Sequence, residues 1–170
     1  MQEYKIRYGG AVCGDEEVEA ILKSINKDRE NWQLGEEGAL MEKEAAGFLG
    51  VKHCVLTSSG SAAGLLALSA LELKKGTEVI IPAVTFPTIF NIIVQCGLVP
   101  VVVDCKVGTY NIDVDKLGEA ISEDTTAIIA VHAVGNPADM NRITEIAFRR
   151  GLKVIEDNCD GWGGSIRGKK

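Results

Sequence analysis

An α/β domain with a largely parallel sheet is the fold class this sequence predicts, on three observations. Short apolar runs rich in β-branched residues recur along it: HCVLT, TEVIIP, PVVVD, TAIIAV and LKVIED. Several of them lack polar alternation, which marks strands covered on both faces. Segments with helical spacing stand between them. Strand and helix therefore alternate about five times, and right-handed crossovers turn that alternation into a parallel sheet flanked by helices.

The elements follow in order. In DEEVEAILKSINKD, Val18, Ile21, Leu22 and Ile25 recur at helical spacing, and Asp15 can cap the start. A polar, Trp-containing connector, NWQLG, comes next. A second helix, Glu36 to Leu49, places Met41, Ala45 and Phe48 on one face, and Gly50 ends it. The HCVLT run is the first strand. The spacing then predicts helices from Ser61 to about Leu73, from about Pro87 to Gln95, from Val114 to Ile121 and from Met140 to Arg150. Asp113 and Asp139 cap the last two, and Gly151 closes the final one, with Met140, Ile143 and Ala147 on its inner face.

Bulk properties narrow the function classes. A chain of 170 residues suits one domain spanning 1–170, and 46% apolar residues is enough for a core. Lys and Arg total 18 against 24 Asp and Glu, for a net charge of −6, with no long basic block. Nucleic-acid binding needs clustered cations, so that class is disfavoured. No apolar run reaches membrane-spanning length and MQEYKIRYGG carries no apolar signal region, so the expected location is cytoplasmic, without membrane contact. Of five cysteines, Cys54, Cys96 and Cys105 lie in or beside apolar runs and read as reduced, buried small hydrophobes. No CxxC spacing occurs, so no metal site is expected.

Ligands of open α/β sheets bind beyond the carboxyl ends of the strands. Those ends are Thr57 to Gly60, Pro82 to Phe86, Asp104, His132 and Asp157. In SSGSAAGLLALSAL, Gly60 permits a tight turn and Ser61 opens a helix, so free N–H groups, a hydroxyl and the helix dipole favour an anion such as phosphate. The same serine-rich start also reads as an ordinary cap that binds nothing. GxGxxG is absent, and the one GxxxxGK run, Gly163 to Lys169, is followed by Lys170 and not by the Ser or Thr of a P-loop, which counts against a nucleotide-cofactor enzyme of another kind. In VIEDNCDGWGG, Asp157 ends a strand, where a carboxylate can hold a ring nitrogen protonated; loop capping by Glu156, Asp157 and Asp160 is the other reading. Phe86 can lie flat on a heteroaromatic ring or be a plain core phenylalanine. Thr85 and Thr88 can donate hydroxyls or cap the next helix. His132 reads as structural, and His53 sits at the wrong end of its strand. Asp104, Asp113 and Asp115 form a carboxylate cluster in sequence only. Together these residues make a cradle for a phosphorylated pyridine. It lacks a Schiff-base lysine: Lys153 starts its strand, and Lys169 and Lys170 close the chain.

The chain resembles the DegT/DnrJ/EryC1/StrS family of sugar aminotransferases, from NWQLG…ME…AAGFLG to GKK. Its phosphate motif stands as Ser59-Gly60-Ser61-Ala62-Ala63, its TF segment as Thr85-Phe86, its VHxxG segment as VHAVG and its ED motif as Glu156-Asp157. The resemblance implies a partial large domain of the aspartate-aminotransferase type. It implies pyridoxal 5'-phosphate or pyridoxamine 5'-phosphate held by Gly60, Ser61, Ala62, Phe86, Asp157 and Asp160, with Phe86 on the ring and Asp157 on its nitrogen. GTYNIDVDKL, HAVGNPADM and IEDNCDGWGG resemble the 3-dehydrase branch, CDP-4-keto-6-deoxyglucose 3-dehydrases, where a histidine replaces the lysine and an iron–sulfur cluster serves a partner reductase. Asp160 stands where other members carry Gln or His. A nucleotide sugar as substrate and a role in lipopolysaccharide biosynthesis are implied too.

In the family, the lysine or histidine, the cluster cysteines and the small C-terminal domain lie downstream of GKK, so no catalytic residue is expected among these 170. Two further strands of the family's sheet would fall between the HCVLT and LKVIED strands. Unpaired backbone and bare apolar faces are adhesive, so a dimer or higher homo-oligomer is expected. The leading expectation is a fragment of a sugar-modifying enzyme, inactive alone. The alternative is a stand-alone, non-catalytic binding or assembly protein built on the same fold.

Overall fold

The computed structural model describes residues 11–27, 35–166 and 168. The chain divides into two compact units, residues 1–55 and 56–170. In the first, α1 (Asp15–Lys27) and α2 (Glu36–Leu49) form as the spacing predicts. Asp15 is the first helical residue of α1 and not its cap; the Gly14 N–H is taken instead by the Glu17 carboxylate at 2.6 Å. The apolar face of α1 is not covered within this unit, and Val18, Ile21 and Leu22 are exposed. On α2 only Ala45 and Ala46 are buried, so Met41 and Phe48 do not form the inner face expected of them. Gly50 ends α2 in the left-handed region, at φ 68°. Apart from Gly35, the NWQLG connector lies outside the described residues, as do Lys169 and Lys170.

The second unit holds the sheet. Strands β1 (Glu78–Pro82), β2 (Val99–Val103), β3 (Thr125–Val131) and β4 (Lys153–Asp157) pair in the order β2-β1-β3-β4, every neighbour parallel. Helices α3 (Gly60–Ser69) and α4 (Pro87–Gln95) cover one face; α5 (Val114–Ala120) and α6 (Met140–Arg150) cover the other. Strand alternation explains the division. Val79, Ile81, Ala127 and Ile129 pack with Leu68, Ile89, Ile92 and Ile93, while Ile80 and Ile128 turn the opposite way onto Leu117, Ile143 and Ala147. Burying each such isoleucine or leucine is worth roughly 1.5–3 kcal/mol, so β1 and β3 are the spine of the unit. The edge strands β2 and β4 are only part-covered, unlike the two-sided burial their runs suggest.

Helix ends follow their caps. Asp113 accepts from the Asp115 N–H at 3.1 Å and Asp139 from the Arg142 N–H at 3.2 Å. Gly151 closes α6 at φ 69°. Helix α3 stops at Ser69, short of Leu73, because the Leu71 and Glu72 N–H groups bond three residues back and Glu72 turns to φ 49°.

The HCVLT run, expected as the first strand, forms no ladder among the described residues. It has no regular secondary structure, and Val55 and Leu56 are exposed. An apolar β-branched run is a strand only where another backbone accepts its hydrogen bonds, and β4 pairs with β3 alone among the described residues. Cys54, Cys96 and Cys105 are free thiols as expected, but half-buried and not fully buried; the sulfur of Cys105 instead accepts the Val84 N–H. Among the described residues, no helix is long and apolar enough to cross a membrane.

Candidate functional site

All four strands point their carboxyl ends to one edge of the sheet, and the site is built there. The turn Thr57–Ser59 delivers α3 to this edge. The Thr57 hydroxyl donates to the Ser59 carbonyl at 2.9 Å, and the extended Ser59 caps the helix by accepting the Ala62 N–H at 3.1 Å. Capping thus consumes the Ala62 N–H. The Gly60 and Ser61 N–H groups have no partner among the described residues and stand at the positive end of the α3 dipole. The Ser61 hydroxyl donates to Thr88 Oγ1 at 3.2 Å, which ties the starts of α3 and α4 together.

The β1–α4 connection supplies the next side. Phe86 is the N-cap residue of α4, with Pro87 in the first turn, where its lack of an N–H costs nothing. Phe86 is 67% exposed, which rules out the core reading and leaves an aromatic side chain open at the site. Thr85 beside it has a hydroxyl oxygen sealed from solvent and bonded to no described group. A buried hydroxyl without a partner is costly unless something else supplies one.

Strand β4 supplies the third side. Asp157 accepts the Cys159 N–H at 3.1 Å, a local turn that fixes its carboxylate. The neighbouring Asp157 carboxylate, with partial burial and the Asp160 charge, pushes the Cys159 thiol up to about 11. The Cys159 sulfur reaches the first turn of α3: a Cβ placed on Gly60 would stand 2.7 Å from it. Gly60 and Asp157 are thereby brought to one place, as the cradle requires.

Asp160 bonds to a neighbouring turn. Its Oδ2 accepts the Val134 N–H at 3.2 Å, holding the 3-10 turn Ala133–Gly135. His132 is buried; its Nδ1 accepts the Ala138 N–H at 3.0 Å, and its Nε2 faces Glu156 at 3.8 Å. That is the structural role expected of it. Asp104, Asp113 and Asp115 do not converge. Lys116, 2.6 Å from Asp104, holds that carboxyl below its ordinary range, Arg142 does the same for Asp115 at 2.6 Å, and Asp113 is a cap. Lys153 begins β4, at the far end of the sheet.

Three residues matter here beyond what the sequence signals. Cys159 is the link between the two anchors, and its only signal is its place two residues after Asp157. Asn111 is buried, donating to the Asn136 carbonyl at 3.0 Å and accepting the Ala133 N–H at 3.1 Å, so it fastens the loop that Asp160 also holds. Thr85 is a possible donor by its position, but its lack of a partner has no sequence signal.

These features suit a phosphorylated pyridine. Unpaired N–H groups meet a dianion, an open aromatic face meets a flat ring, a carboxylate meets a ring nitrogen, and an orphan hydroxyl awaits an acceptor.

The chain is similar to known proteins across nearly its whole length. The model of the DegT/DnrJ/EryC1/StrS aminotransferase family matches residues 12–170. The chain is 41% identical, over 96% of its length, to the dTDP-4-dehydro-2,6-dideoxy-D-glucose 3-dehydratase of Saccharopolyspora spinosa, covering 37% of that protein. It is 40% identical, over 92%, to the GDP-4-keto-6-deoxy-D-mannose 3-dehydratase of Yersinia pseudotuberculosis, covering 41%. Among solved structures, a GDP-4-keto-6-deoxymannose-3-dehydratase with a trapped PLP-glutamate geminal diamine superposes with a TM-score of 0.91 at 34% identity, over 98% of this chain and 44% of the other. The chain thus spans about two fifths of the length of the curated relatives it matches. The α/β fold expected from the sequence, an aminotransferase-type large domain in part, is borne out.

Proposed function

The chain belongs to the DegT/DnrJ/EryC1/StrS aminotransferase family, and from that premise we propose that residues 56–170 hold pyridoxal or pyridoxamine phosphate for chemistry on a nucleotide sugar. The observation that carries the reading is the meeting of the α3 start with Asp157, mediated by the contact between the Gly60 position and the Cys159 sulfur. When bound, the cofactor supplies an electron sink for bond cleavage next to a carbonyl or amine carbon.

The chain's own residues do the rest. The Gly60 and Ser61 N–H groups, with the α3 dipole behind them, hold the phosphate. The Thr85 hydroxyl gains a partner. Phe86 lies on the ring and keeps water from its face. Asp157 holds a proton at the ring nitrogen, which keeps the ring electron-poor. Asp160 acts one step away, by fixing the Ala133–Gly135 turn at the rim. Each of these groups is assigned to the cofactor and none to the sugar, so no turnover is expected of these 170 residues alone. The 3-dehydratase relatives support the dehydrase branch, and aminotransferase relatives of similar identity keep transamination as the second reading. Open backbone edges on β2 and β4 among the described residues, with exposed Val99 and Val102 on β2, support self-association, which sedimentation tests.

Titration of the chain with pyridoxamine phosphate and with unphosphorylated pyridoxamine, followed by absorbance, tests the reading. Saturable binding that requires the phosphate supports it. No binding, or equal binding of both, overturns it.

A further inference from the structure

Cys159 makes no contact with the cofactor in the cradle described above, yet its sulfur occupies the space between the two anchors. The 2.7 Å from that sulfur to a Cβ at position 60 is shorter than any real contact, so the sulfur can lie there only because residue 60 is glycine. The same residue holds Asp157 through its backbone N–H at 3.1 Å, and the carboxylate in turn raises the thiol. The charged groups it faces are Asp157 and Asp160, and α3, packed against it, carries no charged side chain. The thiol therefore stays protonated at physiological pH and is a donor, not a nucleophile.

We propose that Cys159 is a positioning residue. With its sulfur against Gly60, it sets the Asp157 carboxylate at a fixed spacing from the start of α3, so that phosphate and ring nitrogen of one cofactor meet their partners together. The inference rests on the cofactor reading above. A thiol suits this role. It is long enough to touch the α3 turn, and it is a weak donor that leaves the carboxylate free to accept a ring N–H. Alanine removes both contacts. Serine keeps the donor but is shorter. A methyl group on residue 60 displaces the sulfur from this position, so Gly60→Ala and Cys159→Ala act on the same contact.

The test uses the whole chain and pyridoxamine phosphate, with inorganic phosphate as the second probe. Cys159→Ala weakens pyridoxamine phosphate about ten-fold, through misplacement of the Asp157 carboxylate, and leaves inorganic phosphate unchanged; Cys159→Ser retains most of the affinity. The NMR shift of the bound ring nitrogen moves toward the unprotonated value in Cys159→Ala and stays put in Cys159→Ser. Gly60→Ala weakens the cofactor at least as much, and the double variant binds no more weakly than the weaker-binding single variant. Wild-type affinity and an unmoved nitrogen shift in Cys159→Ala would overturn the inference, as would losses that simply add in the double variant. Failure of the wild-type chain to bind pyridoxamine phosphate is a different result: it removes the cofactor reading itself, and this inference with it. A misfolded Gly60→Ala leaves the decision to Cys159→Ala and Cys159→Ser.

Discussion

Asp160 holds Val134 in a left-handed backbone conformation: its Oδ2 accepts the Val134 N–H at 3.2 Å, and Val134 sits at φ 49°. A β-branched residue there is strained by about 1–3 kcal/mol. Its side chain is 74% exposed, so little packing offsets that strain. Val134→Gly relieves the strain but adds roughly 0.5–1 kcal/mol of unfolded-chain entropy. The net expectation is a gain of about 1 kcal/mol, read as a higher urea midpoint at unchanged slope. A lower midpoint would mean that the backbone is not under strain.

Asn111 secures the same loop from the other side. Its amide donates to the Asn136 carbonyl and accepts from the Ala133 N–H, both within buried or half-buried surroundings. Asn111→Ala leaves two backbone groups without partners. At about 1–3 kcal/mol for each stranded group, partly repaired by water, the loss is about 2–4 kcal/mol. Equilibrium urea unfolding measures it.

Thr85→Val separates stability from binding. It removes a buried hydroxyl without a described partner, so the free protein gains about 1 kcal/mol in thermal unfolding. The same change weakens pyridoxamine phosphate roughly ten-fold, because the cofactor loses a donor. A variant that gains stability with no loss of affinity would place Thr85 outside the cofactor site.

Asp157→Asn makes a pH-dependent prediction. The Cys159 thiol is raised in the folded protein from 9.0 to about 11, first by its hydrogen bond to Asp157. A raised value means the folded state holds the proton more tightly. This contribution to stability is therefore complete below pH about 9 and is lost as pH rises through about 11. In Asp157→Asn the thiol falls back toward 9.0, so alkylation of Cys159 at about pH 10 becomes faster and the alkaline loss of stability attributable to this thiol disappears. Lys27 and Lys116, also held above their ordinary range by carboxylate partners, lose their contribution in the same direction in both proteins, so the comparison isolates Cys159.

Local signals are what the sequence carries well. TEVIIP, PVVVD, TAIIAV and LKVIED form strands because their apolar composition suits burial on a sheet, and Asp113, Asp139, Gly50 and Gly151 end helices through contacts within a few residues. HCVLT has the same composition and forms no ladder among the described residues, because a strand is a property of a pair and its sequence does not name the partner. The apolar faces of α1 and α2 are periodic, but periodicity does not say whether a face is covered. In the site, Ser61, Phe86 and Asp157 are legible because each stands at the end of a strand or the start of a helix. The role of Cys159 is not, since its contact with Gly60 joins segments distant in the chain.

A crystal structure of the chain with pyridoxamine phosphate decides whether this sheet edge is a cofactor cradle. The phosphate is expected against the Gly60 and Ser61 N–H groups, the ring over Phe86 and the ring nitrogen on the Asp157 carboxylate. Cofactor bound elsewhere, or at this edge with its phosphate away from α3, would refute the cradle.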